Sequence, residues 1–299
     1  MPVIKANPTA RRSALLQERD RLKIETIGVR VTNRIAVEMN ARILTAFERG
    51  QNIIPVITER LDSEFTPLIQ RAMVAGHLQG RLRTARVAAV RFQKRRTLSA
   101  YDEALGWLRK RMALTPEQMQ ALMEAYGNEA ARVTRGLNDA VEQRVQDAME
   151  KIIAGGEHTR DAIATLREEL VSSGSGPMSP PLMETLVRTQ TQMAYSAGRW
   201  NGNQDEAIQD ILWGYEYVTV GDDRVRPAHQ AQDGVRMPKD APYWQIWWPP
   251  NGFNCRCSTI EIFNEDKQAD QVDPPDRLAT PDEGWSFNPG LLFADQLAM

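Results

Sequence analysis

Apolar side chains return every three or four residues through most of the first two-thirds of this 299-residue chain, and that period makes this part read as helix. Ile24, Ile27, Val31, Ile35, Met39, Ile43 and Phe47 form one stripe; Ile53, Ile57, Leu61, Phe65, Leu68 and Ala72 form a second after Gly50. A break is expected near Pro55 or Pro67, because proline lacks the N–H donor and its ring crowds the preceding turn. A third stripe runs through Met119, Leu122, Tyr126, Ala130, Val133, Leu137, Val141, Val145, Met149 and Ile152. It opens at Thr115-Pro116-Glu117, a capping residue followed by proline at the first helical position, and stops at Gly155-Gly156. These stripes read as core and helix-pairing seams.

The period changes after Gly202. Residues 211–220 (ILWGYEYVTV) and 257–263 (CSTIEIF) are rich in β-branched and aromatic side chains and read as strands. Before them, residues 171–181 (VSSGSGPMSPP) read as a linker and residues 182–200 as a helix with Leu182, Leu186, Met193 and Ala197 on one side. The predicted fold class is α+β: a long, mostly helical region over 1–172, a linker at 173–181, a small α+β domain over 182–263, and an acidic tail from 264 to 299 that wraps or hangs loosely.

Charge is distributed unevenly. The chain totals −2, but residues 1–111 carry +12 and the remainder −14. Such polarity suits two faces meeting different partners, or halves that neutralise each other. Residues 66–101 contain no acidic side chain, yet hold Arg71, Arg81, Arg83, Arg86, Arg91, Lys94, Arg95 and Arg96. Phosphate or an acidic protein surface would relieve their repulsion; a solvated helix face is the plainer alternative. Phe92 is the one aromatic among those cations, so stacking on single strands is not indicated. Two cysteines exclude a disulfide framework. With no bilayer-length apolar run and no apolar segment behind the basic N-terminus, the chain is expected in a cytoplasm.

The chemically distinctive residues cluster late, in GDDRVRPAHQAQDG and PYWQIWWPPNGFNCRC. Gly221-Asp222-Asp223 should turn the chain after the first strand. Arg224 and Arg226 alternate, so both can face Asp222, Asp233 or the acidic tail. His229, Cys255 and Cys257 admit three readings. They hold zinc with a fourth ligand such as Asp222 or Asp223; they are a reactive thiol and its base; or they are buried packing residues. Cys-x-Cys is tighter than the common zinc spacing, and no second Cys/His pair follows it. Trp244, Trp247 and Trp248 read as the core of a small domain, or as an aromatic anchor at an interface. Pro249, Pro250 and Gly252 set the turn that delivers Cys255 to the second strand.

Taken in order, Thr219, Asp222, Arg224, Arg226, His229, Gly234, Trp244, Pro249-Pro250-Asn251-Gly252 and Asn254-Cys255-Arg256-Cys257 resemble the phage head morphogenesis family, the F-like minor head proteins of phage Mu. The preceding helix, LVRTQTQMAYSAGRW, is similar to that family's, with Gln190 where a glutamate is frequent. The resemblance covers roughly residues 180–262. It implies a minor capsid protein of a tailed phage or prophage that associates with the portal during head assembly, with scaffold or major capsid protein as further partners. Several copies would lie in the capsid interior or at the portal vertex, made in the host cytoplasm, with no membrane contact. It implies no catalytic activity. No cofactor is expected, apart from the structural zinc that is one reading of His229, Cys255 and Cys257 themselves.

Two other readings remain open from the residues. One is an internal DNA-binding virion protein, ejected with the genome, that contacts packaged double-stranded DNA through Arg81, Arg83, Arg86, Arg91, Lys94, Arg95 and Arg96. The other is a thiol- or zinc-dependent enzyme centred on His229 and the two cysteines.

Overall fold

A computed structural model describes residues 8–49, 53–93, 97–155, 179–266, 271–274, 279–292 and 294. Among the described residues, six helices of two turns or more are α1 (Pro8–Glu48), α2 (Ile53–Arg60), α3 (Thr66–Phe92), α4 (Leu98–Arg111), α5 (Pro116–Gly155) and α6 (Pro180–Asn203). Three strands follow: β1 (Leu212–Val218), β2 (Arg236–Pro238) and β3 (Ser258–Phe263). The fold is thus α+β with a long helical N-terminal region, as the change of period implies. Most of the expected linker, residues 171–178, lies outside the described residues, as does much of the acidic tail. Among the described residues no helix is long and apolar enough to cross a membrane.

Helix boundaries follow local chemistry. At the start of α5, Thr115 Oγ1 accepts from the Gln118 N–H at 3.2 Å while Gln118 Oε1 accepts from the Thr115 N–H at 3.0 Å. This reciprocal capping box satisfies two donors that would otherwise be orphaned. Pro55 sits in the first turn of α2, where a missing N–H costs nothing. Pro67 does not end a helix either. A π-helical turn, Leu61–Phe65, precedes it, with the Thr66 N–H bonded to the Leu61 carbonyl. Such a turn relocates the ladder around the donor that proline lacks.

The chain packs as two compact units, and the division cuts across the expected boundaries at 172 and 182. One unit gathers residues 25–72 and 123–190; the other gathers residues 1–24, 73–122 and 191–299.

In the first, α5 buries Tyr126, Ala130, Thr134, Leu137, Val141 and Val145, most of the expected stripe with Thr134 in place of Val133; the side chains of Met149 and Ile152 lie outside those described. Thr66 donates to Thr134 at 2.7 Å, and Gln70 Nε2 donates to the Met123 carbonyl at 2.7 Å. The stripe expected on α1 is only partly the buried one. Ile35 is buried, but Ile27 is 68% exposed, while Gly28 and Thr32 turn inward. Close approach explains the choice: a β-carbon at Gly28 would stand 2.8 Å from Val187 Cγ1.

The second unit is built on the packing of α3 against α6 at three glycines. A β-carbon at Gly76 would lie 2.8 Å from the Thr191 carbonyl oxygen, at Gly80 2.1 Å from that of Tyr195, and at Gly198 2.0 Å from that of His77. Beyond this seam the sheet runs in the order β2-β1-β3, antiparallel throughout. Gly214 opposes Pro238, and its missing β-carbon admits the Met237 carbonyl. Around the sheet pack Leu212, Tyr215, Tyr217, Val235, Trp244, Trp247, Trp248, Cys255, Cys257 and Phe263. The three late tryptophans are therefore core. Trp244 Nε1 donates to the Pro238 carbonyl at 2.9 Å and Trp248 Nε1 to the Ser196 carbonyl at 3.2 Å, which meets the polar demand of two buried indoles.

His77 is fully buried on α3, and burial, reinforced by the Arg81 charge, pushes its imidazole down to about 3. Its unfolded value is about 6.5, so between those values the unfolded chain binds the extra proton. Stability from this group is complete above about pH 6.5 and is lost as pH falls through that window, by up to about 1.4 kcal/mol per unit. Denaturant midpoints at pH 7 and pH 5 should therefore separate widely for the native protein and much less for His77→Gln. Equal separation would assign the acid sensitivity to other groups.

Candidate functional site

The turn after β1 builds the site. Asp222 Oδ1 accepts from the Arg224 N–H at 3.1 Å, closing the turn that the sequence leads one to expect. Both Asp222 oxygens also accept from Arg256, at 2.6 and 2.7 Å, and this pairing holds the carboxyl down at about 2. Arg224 lies 3.7 Å from the same carboxylate. Arg226 reaches the opposite way: its Nη2 donates to the Phe253 carbonyl at 2.7 Å, and its Nε meets Asp282 at 3.1 Å. Of the partners expected for the two arginines, Asp222 and the acidic tail are used. Asp233 is used elsewhere, accepting from the Thr219 N–H at 2.7 Å and from Arg11 on α1 at 2.6 Å.

A single helical turn, Pro227–Gln230, then carries His229 inward, while the chain entering β3 carries the two cysteines. His229 Nδ1 lies 3.7 Å from Cys255 Sγ and 3.6 Å from Cys257 Sγ, and all three donor atoms fall within 4.8 Å of one another. All three side chains are buried, with His229 1%, Cys255 2% and Cys257 6% exposed. The sequence-derived trio is thus one cluster. The Cys257 thiol, by its hydrogen bond, and His229 drive Cys255 well below the ordinary thiol range despite burial. The same hydrogen bond together with burial pushes Cys257 well above it. One thiol ionises readily and the other holds its proton.

The turn before the cysteines is held from several sides. Asn251 Oδ1 accepts from the Tyr217 hydroxyl at 3.0 Å, and its Nδ2 donates to the Ile246 carbonyl at 3.0 Å. Ser196 on α6 donates to the Pro249 carbonyl, and the Pro249–Pro250 peptide is cis. Gly252 admits the tail: a β-carbon there would lie 2.1 Å from Asp282 Oδ2. Trp244 stands behind the turn, where its carbonyl accepts from Asn288 at 3.0 Å.

Asp222 and Asp223 do not complete a metal set. Asp222 is committed to Arg256, Asp223 is exposed on the turn, and neither belongs to the cluster of possible ligands. Asp282, which sequence reasoning missed, also reaches the cluster. Its Oδ1 lies 3.6 Å from His229 Nε2, a buried nitrogen otherwise without a hydrogen-bond partner. Only the acidity of the tail hinted at it. Arg199 and Glu261 were missed too. They form an ion pair, each side chain 2% exposed, between α6 and the inward face of β3.

Four arginines of the basic segment are engaged within the protein. Arg81, Arg83, Arg86 and Arg91 are half-buried. Arg81 donates to the Met112 carbonyl at 2.9 Å, Arg83 adds its charge beside Glu261, and Arg91 lies over the Phe263 ring at 5.2 Å. Arg86 also has a partner inside the protein. Lys94, Arg95 and Arg96 lie outside the described residues.

The turn and the His–Cys cluster fall within a match to a phage-protein family. Residues 143–260, which contain α6, β1, β2, the start of β3 and the whole His–Cys cluster, match the family described as Phage Mu protein F like protein. Two relatives match over part of their length. One, from Escherichia phage Mu and provisionally named capsid assembly protein F, is 31% identical over 147 residues, covering 38% of this chain and 33% of that protein. The other, the Mu-like prophage FluMu F protein of Haemophilus influenzae, is 30% identical over 155 residues, covering 48% of this chain and 37% of that protein. The chain therefore spans about a third of the length of each. No solved structure matches it.

Proposed function

We propose that the chain is a structural protein of a tailed-phage or prophage head, acting in capsid assembly and docking at the portal. The observation that carries this reading is the Mu F-like match over 143–260, which coincides with the braced turn and cluster of the α+β part. The name of the Mu relative points to capsid assembly. Burial of both thiols and of His229 also favours a structural role, because a substrate would find no exposed nucleophile there.

Heads purified from a lysogen carrying this gene should contain the protein by mass spectrometry, and the tagged full-length chain should retain the cognate portal protein from an induced lysate. Full-length protein is needed because residues 73–122 pack in the same unit as 191–299, so removing the helical region would also damage the C-terminal part. Absence from purified heads together with no portal capture would overturn the proposal. A chain that is present in heads, releases the portal and binds DNA in a salt-dependent manner would instead favour the ejected DNA-binding protein.

A further inference from the structure

The burial of the cluster at His229 fits a structural role, and its geometry carries a separate conclusion. We infer that His229, Cys255 and Cys257 bind one zinc ion and that Asp282 braces the imidazole from behind.

Three observations support this. First, the donors are of the right kind: two thiolates and an imidazole suit a soft or borderline d¹⁰ cation and not calcium or magnesium. Second, their spacing fits. Zinc bonds of about 2.0–2.1 Å to nitrogen and about 2.3 Å to sulfur, at a tetrahedral angle, place the two ligand atoms about 3.6 Å apart. His229 Nδ1 stands 3.7 and 3.6 Å from the two sulfurs, nearly equidistant. Packing alone would not require one ring nitrogen to face both sulfurs. Third, the outer partner is in place. A metal-bound histidine characteristically presents its other nitrogen to a carboxylate, which fixes ring orientation and tautomer. His229 Nε2 has Asp282 Oδ1 at 3.6 Å, and Asp282 is itself oriented by Arg226 at 3.1 Å.

Charge also balances. Two thiolates neutralise the dication, so the buried complex has no net charge to desolvate. Among the described residues no fourth Cys, His, Asp or Glu joins the group. The nearby carboxylates are engaged, Asp222 by Arg256 and Asp233 by Thr219 and Arg11, so neither is offered as a fourth ligand. The ion would cross-link the turn after β1 to the start of β3 and, through Asp282, hold the tail against Gly252. A metal site that exists only in the folded chain stabilises folding by its binding free energy.

The test uses full-length protein made without added metal, purified on a tag that does not chelate and washed with a weak chelator. Elemental analysis should find about one zinc per chain, and a strong chelator should lower the melting temperature. Cys255→Ser combined with Cys257→Ser should abolish the zinc. In case that variant fails to fold, Asp282→Asn keeps all three ligands and should weaken zinc affinity about 10- to 100-fold in competition with a colorimetric chelator. Arg226→Gln, which loosens Asp282 without touching the imidazole, should weaken it less. Zinc far below one per chain with melting unaffected by chelator would overturn the site. So would equal zinc in the double-serine variant, which marks an adventitious ion, or stoichiometric copper or iron in its place. Unchanged affinity in Asp282→Asn would overturn the bracing role.

Discussion

Gly198→Ala should unfold the unit that carries the His–Cys cluster, or cost it well over 3 kcal/mol of stability. The new methyl would lie 2.0 Å from the His77 carbonyl oxygen, 2.7 Å from the carbonyl carbon and 2.8 Å from the α-carbon. All three are backbone atoms of a helix, so no rotamer change can relieve the clash. Gly80→Ala would meet α6 from the other side, 2.1 Å from the Tyr195 oxygen and 2.8 Å from the Arg199 nitrogen. The helices would have to separate, and burial at the seam would be lost along with the alignment of Ser196 and Arg199 toward the sheet. Gly106 and Gly136 are the controls. They are helical, with nothing within 4 Å of a built β-carbon, so alanine there should stabilise by about 0.5–1 kcal/mol. Thermal melts of the four variants decide the matter. If Gly198→Ala melts with the native protein, the two helices do not depend on close backbone approach.

The second large effect is expected at Arg199. Its Nη2 donates to Glu261, its Nη1 lies 3.1 Å from Thr259 Oγ1 and 3.2 Å from Ser258 Oγ, and the guanidinium stands 5.8 Å from the Trp248 ring. Asn203 adds a hydrogen bond to Glu261 at 3.3 Å. Arg199→Met would strand a carboxylate in the core, and removal of one member of such a pair costs about 3–5 kcal/mol. Burial alone would raise the Glu261 pKa, but the Arg199 charge and hydrogen bond outweigh it and hold the group below its usual range. A carboxyl with a depressed folded value contributes stability that is present above its unfolded value of about 4.5 and lost as pH falls through the folded one. In Arg199→Met the shift should reverse, so the variant is most damaged at pH 7 and least in mild acid. Arg199→Met with Glu261→Leu should recover part of the loss, since replacing a whole buried pair is often close to neutral. If Arg199→Met melts within a degree or two of the native protein at pH 7, the pair is not the desolvated anchor described.

The elements legible in the sequence are those whose signal is local. The Thr115–Gln118 cap, the α5 stripe, the two longer strands and the convergence of His229 with the two cysteines all come from short-range pattern or residue chemistry. What escaped depends on partners far along the chain. The β2 strand has three residues and ends in proline, too short to show an alternation. Gly76, Gly80 and Gly198 look like helix-weakening residues until the opposing backbone is known. Glu261 sits among isoleucines, and a period-two reading cannot show that Thr259 and Glu261, not Ile260 and Ile262, face inward to meet Arg199. Asp282 lies 53 positions beyond His229, in a segment whose composition suggests only a loose tail.

The unit assembled from residues 1–24, 73–122 and 191–299 also sets the order of events at the ribosome. The glycine face of α3 emerges more than a hundred residues before its counterpart on α6, and the aromatic cluster around Tyr215 is completed later still. The chain must be made through β3 before this unit can close. Nascent chains would thus carry an uncovered helix face over that interval, exposed to chaperones and to neighbouring copies. Products terminated before β3 should be cleared or aggregate.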